Sequence, residues 1–434
     1  MLYNYLKIAV RNLLKNKGFS FINIFGLTVG LACCLLIGIY ILNELSFDRY
    51  HTQADRIWRV SRYFKNKDGS DQLKLGHLAP PFAPLLKNDF PDIEEAARLL
   101  QTGATFRRDD RVFQENDAFF AEPSLFKIFD IPFVAGNPET ALNAPLSVVL
   151  NETTARKYFS EGEAINQNLV VNGQFEVKVT GVFKDFPYNS HFHPDLMISF
   201  ETLKDSLIYG EEALRTNWGN NSFSTFLLLP KNYPVDKLEA QFPDFLDKHM
   251  GSMATSIEMP LPSTWTSLHL MPLTDIHLHS HLDSEIEENG DIKRVYIFAI
   301  IALFVLLIAC INYMNLSTAR SANRAREIGI RKVSGALKSE LIGQFLSESV
   351  LLSLLATVLA VLLAASVLPY INQLIGQELS VDAAQTGWML AAITGLAILT
   401  GLLAGVYPAF FMSAMKPINV LKSQASSGAK AGGA

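Results

Sequence analysis

Cysteine is nearly absent from this 434-residue chain. The three present, Cys33, Cys34 and Cys310, all lie inside apolar stretches, which excludes a disulfide-stapled secreted module. Charge is scarce too. Asp, Glu, Lys and Arg make up 18 % of the chain, below the roughly 25 % of a soluble domain. The apolar share is ordinary at 49 % and the mean hydropathy is +0.19, so the deficit must be local. Four windows hold no charged residue: Phe19–Leu42, Val295–Ala319, Ser349–Gln377 and Trp388–Met415. A purely soluble enzyme, a disordered chain and a collagen-like fibre are thereby excluded. The motifs of phosphate and acyl chemistry are also missing. G-x-x-x-x-G-K-[ST] does not occur, no Gly is followed by Lys, and there is no G-x-S-x-G or H-E-x-x-H. The chain itself is expected to bind no nucleotide or other cofactor and not to be an enzyme.

What is present is membrane-spanning sequence. A hydrocarbon core about 30 Å thick needs about 20 helical residues. Phe21–Leu42 contains 13 residues of Leu, Ile, Phe or Val, and at roughly −0.3 to −0.6 kcal/mol each they favour insertion by several kcal/mol. Tyr296–Ile311, Val350–Leu368 and Met389–Tyr407 repeat the pattern. A cleaved signal peptide is the rival for the first run. That run is longer than an h-region and ends in Asn43-Glu44-Leu45-Ser46 rather than a small-residue cleavage site, so it reads as an uncleaved anchor. None of the spans has Asp, Glu, His, Lys or Arg in its interior, which argues against the proton relay or ion path of a secondary transporter.

Basic residues set the orientation. Lys7, Arg11, Lys15 and Lys17 precede the first span, Arg320, Arg324, Arg326, Arg331, Lys332 and Lys338 lie between the second and third, and Lys416, Lys422 and Lys430 follow the fourth. The only acids among them are Glu327, Glu340 and Glu348, whereas the loop between spans three and four has Glu378 and Asp382 and no base. By the positive-inside rule both termini and the second loop are cytoplasmic. The expected fold is a four-helix transmembrane α domain with a large α+β extracytoplasmic domain inserted between spans 1 and 2. In sequence order it has a basic amphipathic cytoplasmic helix over 1–18, span 1 over 19–42, the outside domain over 43–294 and span 2 over 295–316. A cytoplasmic loop over 317–344, span 3 over 345–368, an outside loop over 369–387, span 4 over 388–411 and a cytoplasmic tail over 412–434 complete it. The tail from Ser423 is the one low-complexity stretch, expected to be disordered.

Inside the outside domain the pattern is clearest at Leu146–Phe183. Leu146–Leu150 reads as a short strand, and Asn151 as the cap of a helix over Glu152–Phe159. Asn172-Gly173 lies between Asn168–Val171 and Gln174–Phe183, a strong hairpin signal. On the second strand Phe175, Val177, Val179 and Phe183 alternate with Glu176, Lys178 and Thr180, one face buried and one wet.

Further clusters invite chemistry. His269, His277, His279 and His281 stand near Asp275 and Asp283. The alternation of His277, His279 and His281 with Ile276, Leu278 and Leu282 predicts one exposed strand face. Neighbours on such a face stand about 6–7 Å apart, too spread for one zinc; no metal site is expected, and His191-Phe192-His193 reads as loop polarity. Gly26-x-x-x-Gly30 and Gly401-x-x-x-Gly405 permit close helix approach, either within the subunit or in a dimer. In the loop ARSANRAREIGIRKVSGAL (319–337), Ile330, Val333 and Leu337 share a helical face, Glu327 and Arg331 form an acid-first i,i+4 pair, and Gly329 and Gly335 interrupt the helix. A basic amphipathic helix beside a membrane is ordinarily a lipid-surface helix; the sharper reading is a helix that docks into the groove of a cytoplasmic partner.

Layout and motifs together resemble the MacB/FtsX family of ABC-transporter permeases. The carriers are LKIAVRNLLKNKGFSFINIFGLTVG (6–30), LFKIFDIPFVAGNPETALNAPLSVVLNETTARKYF (125–159), NLSTARSANRAREIGIRKVSGALKSELIGQFLSES (315–349) and YPAFFMSAMKPINVLK (407–422). Arg324, Arg326, Glu327, Ile328, Gly329, Arg331, Lys332, Gly335 and Ala336 fall where the family has them; with Ile330 they would form the ATPase-coupling helix. One departure is Asn166, where the family commonly has Gly; Asn tolerates left-handed backbone angles.

The resemblance implies a MacB-like periplasmic domain, a bacterial inner-membrane location and a separate ABC ATPase subunit that carries the ATP. It implies a homodimer or a second permease unit, contact with membrane lipid, a periplasmic or outer-membrane partner and no nucleic acid. It further implies mechanotransmission: closure of the ATPases moves the outside domains, which displace a substrate already outside the membrane. An FtsX-like regulator of cell-wall hydrolases is the alternative. A sensor receptor is a third, against which the two further spans argue.

Overall fold

The computed structural model describes residues 17–159, 163–319, 329–376, 379 and 386–414. The basic helix expected over 1–18 lies almost wholly outside the described residues, and the low-complexity tail lies entirely outside them. The chain divides into two units, one of Glu44–Ile292 and one made of the residues up to Asn43 and from Lys293 onward.

The first of these is α+β. Its strands, among the described residues, are β1 (Ile57–Lys65), β2 (Asp71–Leu75), β3 (Glu95–Arg108), β4 (Arg111–Ala121), β5 (Phe133–Gly136), β6 (Ser147–Asn151), β7 (Asn168–Val171), β8 (Phe175–Phe183), β9 (Leu196–Ser199), β10 (Phe223–Leu228) and β11 (Thr266–Pro272). They form one mixed sheet in the order β11-β1-β10-β3-β4-β9-β6-β8-β5, with β2 beside β1 and β7 bridging β3 and β8. Because β7 pairs with both, β3, β4, β9, β6, β8 and β7 close into a ring.

Strand alternation then separates two cores. Ala118, Phe120, Val148, Leu150, Leu196 and Ile198 join Phe106, Val177 and Val179 in one. Phe119, Ala121, Val149 and Met197, on the opposite faces of the same strands, join Leu99, Phe183 and Phe226 in the other. Burial on both faces makes β6 and β9 unbroken buried runs. A third core packs Val60, Leu227 and Leu268 of β1, β10 and β11 against Phe82, Phe242 and Phe245 of two helices.

The local turn and cap signals fall at their expected positions. Asn172 and Gly173 have φ of 50° and 67°, both left-handed, and Val171 pairs with Phe175, so that the hairpin turns over three residues, Asn172 to Gln174, one more than the sequence suggests. Asn151 Oδ1 accepts the Thr154 N–H at 2.7 Å and so caps Glu152–Phe159. Asn166 sits at φ 67°, a left-handed conformation that Asn tolerates.

The histidine strand is a correction. His269 is on β11, paired opposite Ser61, but His277 and His279 lie on a helix, Leu273–His279. Pro272 ends the ladder, and Leu273, Ile276 and His277 are buried at i, i+3 and i+4, so helical packing into the core overrides the twofold pattern. His277 stacks on Phe47 at 3.3 Å and its Nε2 lies 3.2 Å from Glu44 Oε2.

Among the described residues, the second unit contains four apolar helices long enough to cross a membrane: Lys17–Leu45, Ile292–Ala319, Lys338–Ile375 and Thr386–Ala414. One precedes the α+β unit in the chain and three follow it. The third starts at Lys338 and runs through Pro369 to Gly376, whose φ of 66° closes it. Its first residues, 338–344, belong to the stretch expected as the cytoplasmic connection between spans 2 and 3.

Candidate functional site

Arg324, Arg326, Glu327 and Ile328 lie outside the described residues. From Gly329 the chain is described, and it forms an elbow. Residues 329–333 are helical, Gly329 being the first of them that is described. Gly335 interrupts the helix, at φ 94°. The turn closes through Ser334 N–H to Ile330 O (2.9 Å) and Ala336 N–H to Arg331 O (3.0 Å). Leu337 is already extended, and its N–H donates to Glu340 Oε2 at 3.1 Å to start the third membrane helix. Ile330 and Val333 therefore share a helix that Leu337 does not continue; all three remain exposed.

The basic residues of the elbow reach back to the bundle. An Arg331 Nη donates to Gln344 Oε1 on the third helix at 2.7 Å. Lys332 Nζ donates to the Ser413 carbonyl at the end of the fourth at 2.7 Å, where a cation also complements the helix dipole. The elbow is thus fastened to two membrane helices.

The four glycines are placed at helix contacts inside the chain. A Cβ on Gly26 would lie 3.2 Å from Asn312 Nδ2, and one on Gly30 2.6 Å from Ala309 Cβ, both on the second helix. At Gly401 it would meet the Val350 Cα at 2.6 Å, and at Gly405 the Ser349 Oγ at 2.6 Å, both on the third helix. Hydroxyls tie the same faces together: Tyr313 OH to Ser349 Oγ (3.0 Å), Ser353 Oγ to Ala397 O (2.7 Å) and Thr28 Oγ1 to Ala356 O (3.4 Å). Sequence reasoning missed these hydroxyls. The signal was there: Ser349, Ser353 and Thr357 repeat every four residues beside Ala356, Ala360 and Ala364, a small-residue stripe. Among the described residues no three His, Cys, Asp or Glu side chains are placed to hold a metal.

Residues 20–244 match the MacB-like periplasmic core domain, and residues 299–417 the FtsX-like permease C-terminal domain. The chain belongs to the MacB/FtsX family of ABC-transporter permeases. Its matched domains and its apolar helices give it the architecture of a permease of that family. It is similar to the macrolide export ATP-binding/permease protein MacB of Syntrophobacter fumaroxidans, 33 % identical over 80 % of this chain and 52 % of that one. The MacB of Bdellovibrio bacteriovorus is 26 % identical over 45 % of this chain and 29 % of its own length. The chain thus spans about half, or less, of these curated relatives. The crystal structure of the periplasmic region of MacB from Actinobacillus actinomycetemcomitans aligns at 12 % identity and a TM-score of 0.33, over 50 % of this chain and 90 % of that one.

Proposed function

We propose that this MacB/FtsX-family permease is the membrane subunit of an ABC transporter that transmits force rather than conducting a solute. ATP is bound and hydrolysed by a separate ATPase subunit on the cytoplasmic side. The permease works as a homodimer or beside a second permease unit, and the α+β domain moves a substrate already outside the bacterial inner membrane. Both termini and the 320–337 segment face the cytoplasm, as the basic residues around them require. Spans without interior charge suit a lever better than an ion path. The export role printed for the S. fumaroxidans relative is the model for this reading.

The observation that carries it is the elbow. Ile330, Val333 and Leu337 are exposed, available to a groove on the ATPase, while Arg331 and Lys332 hold the third and fourth helices. A push on the elbow therefore reaches both. In membranes containing the permease and its cognate ATPase, Arg331→Glu and Glu327→Arg are expected to lower permease-dependent ATPase activity by about tenfold, with protein levels unchanged. Unchanged activity and unchanged co-purification of the ATPase would remove the coupling role from this segment.

A further inference from the structure

The Glu44–Ile292 unit buries a group of ionisable side chains that force transmission does not use. Asp48, His51 and His191 are 0 %, 3 % and 5 % exposed. Asp48 Oδ1 accepts the His191 backbone N–H at 3.2 Å and its ring Nδ1–H at 2.9 Å. His51 pairs elsewhere. Its Nδ1 accepts the Asp130 backbone N–H at 3.1 Å, and Asp130 Oδ2 in turn accepts the Thr52 N–H. Each side chain satisfies the backbone of the other segment. Asp48 Oδ2, His51 Nε2 and His191 Nε2 have no hydrogen-bond partner among the described residues. Phe129 packs 5.1 Å from the His51 ring and 6.3 Å from the His191 ring.

The two histidines answer a proton differently. His191 already gives Nδ1–H to a carboxylate, so a second proton at Nε2 leaves that bond intact. His51 uses Nδ1 as an acceptor. An imidazolium donates from both nitrogens, so a proton there meets the Asp130 N–H and the bond is lost. The groups around His51 are the Asp48 and Asp130 carboxylates, the His191 ring, and Tyr50, whose hydroxyl pairs with Ser190 Oγ at 3.0 Å. Burial outweighs the two carboxylates and, with His191, pushes His51 down to about 4.

We propose that His51 is an acid-released latch. Neutral, it fastens the segment following the first membrane helix to the turn at Asp130; protonated, it lets go there while the Asp48–His191 pair holds. The sign follows from linkage. A histidine held below its free value of 6.5 favours the closed form fully above that pH. The contribution is lost as pH falls from there towards 4.

Amide hydrogen exchange on the full chain in nanodiscs, normalised to intrinsic rates at pH 8 and pH 5, tests the latch. The Thr52 and Asp130 amides are expected to lose about thirtyfold in protection at pH 5, while the His191 amide and those of β6 and β8 hold theirs. In His51→Asn, whose Oδ1 can accept the Asp130 N–H but does not titrate, the thirtyfold change should vanish. The wild-type contrast between Asp130 and His191 decides the matter even if that variant misfolds. Protection at Thr52 and Asp130 independent of pH, a loss shared by β6 and β8, or the same acid response in His51→Asn overturns the latch. So does a dependence of these amides on added zinc or chelator at pH 8, which would make the group a metal site instead.

Discussion

Truncating Arg62 to alanine is expected to destabilise the α+β domain by about 3–5 kcal/mol, a large share of the roughly 5–15 kcal/mol that holds a typical domain folded. Arg62 is 1 % exposed on β1, yet among the described residues no carboxylate is one of its hydrogen-bond partners. The charge is held by neutral groups. Nε donates to Thr266 Oγ1 at 3.0 Å, and one Nη donates to Trp218 O and Asn221 Oδ1, each at 2.9 Å. The guanidinium carbon stands 4.6 Å from the ring centre of Phe64, 5.1 Å from that of Phe82 and 5.8 Å from that of Trp265. Burial lowers its pKa to about 10, which leaves it charged at neutral pH. Alanine would open a cavity under three aromatic rings and strand the Trp218 and Asn221 oxygens. Arg62→Met keeps much of the volume but not the donors, so an intermediate loss is expected. Because Trp218 and Trp265 both contact the site, tryptophan fluorescence during urea unfolding reads the change directly. Arg215→Ala is the comparison: its pair with Glu211 has side chains 75 % and 52 % exposed, and its loss is expected to cost less than about 0.5 kcal/mol. Equal stabilities for Arg62→Ala and Arg215→Ala would mean that the buried cation is not a structural tie.

Arg62 also marks where sequence reading stops. β1 reads Ile57-Trp-Arg-Val-Ser-Arg-Tyr-Phe-Lys65, with Arg59 and Arg62 on opposite faces of the strand, each a residue type that ordinarily marks an exposed position. Both are buried, because Arg59 finds Ser280 and Glu285 and Arg62 finds Trp218, Asn221 and Thr266, partners more than 150 positions away. No local pattern encodes such a pairing. The hairpin at Asn172-Gly173 and the cap at Asn151 were legible because their partners lie within a few residues, where turn geometry and backbone donors dictate the residue type. The histidines at 277 and 279 were misread for a related reason. A twofold alternation over six residues is also compatible with a helix, and it was the burial of Leu273 and Ile276 that chose. The membrane helices were plain from charge alone, but the faces they present to one another were not. A Gly-x-x-x-Gly pattern says that something approaches closely without saying what.

What approaches Gly401 is the backbone of the third membrane helix, and Gly401→Ala is therefore expected to disrupt the bundle despite adding only a methyl group. An ideal Cβ there lies 2.6 Å from Val350 Cα, 3.0 Å from Val350 N and 3.1 Å from Ser349 O. Side-chain ends can swing aside; helix backbone cannot, so the third and fourth helices must move apart. Separation strains the Ser353 Oγ to Ala397 O bond at 2.7 Å and loosens the packing of Ala356, Ala360 and Ala404 in the bundle core. Overpacking of this kind costs about 1–3 kcal/mol, while the helix propensity of alanine over glycine returns at most about 1 kcal/mol. Gly395 on the same helix isolates the second effect, because nothing lies within 4 Å of its Cβ position. Gly395→Ala should be neutral or slightly stabilising. Gly30→Ala should fall between the two, since its nearest neighbour is the Ala309 methyl, at 2.6 Å, rather than backbone. Thermal unfolding of the detergent-solubilised full chain, followed by size-exclusion profile, gives the order: Gly401→Ala least stable, then Gly30→Ala, then Gly395→Ala. If Gly30→Ala instead leaves stability intact and shifts the protein from dimer to monomer, the Gly26–Gly30 face serves contact between subunits. If Gly401→Ala melts with Gly395→Ala, the third and fourth helices do not pack at this distance.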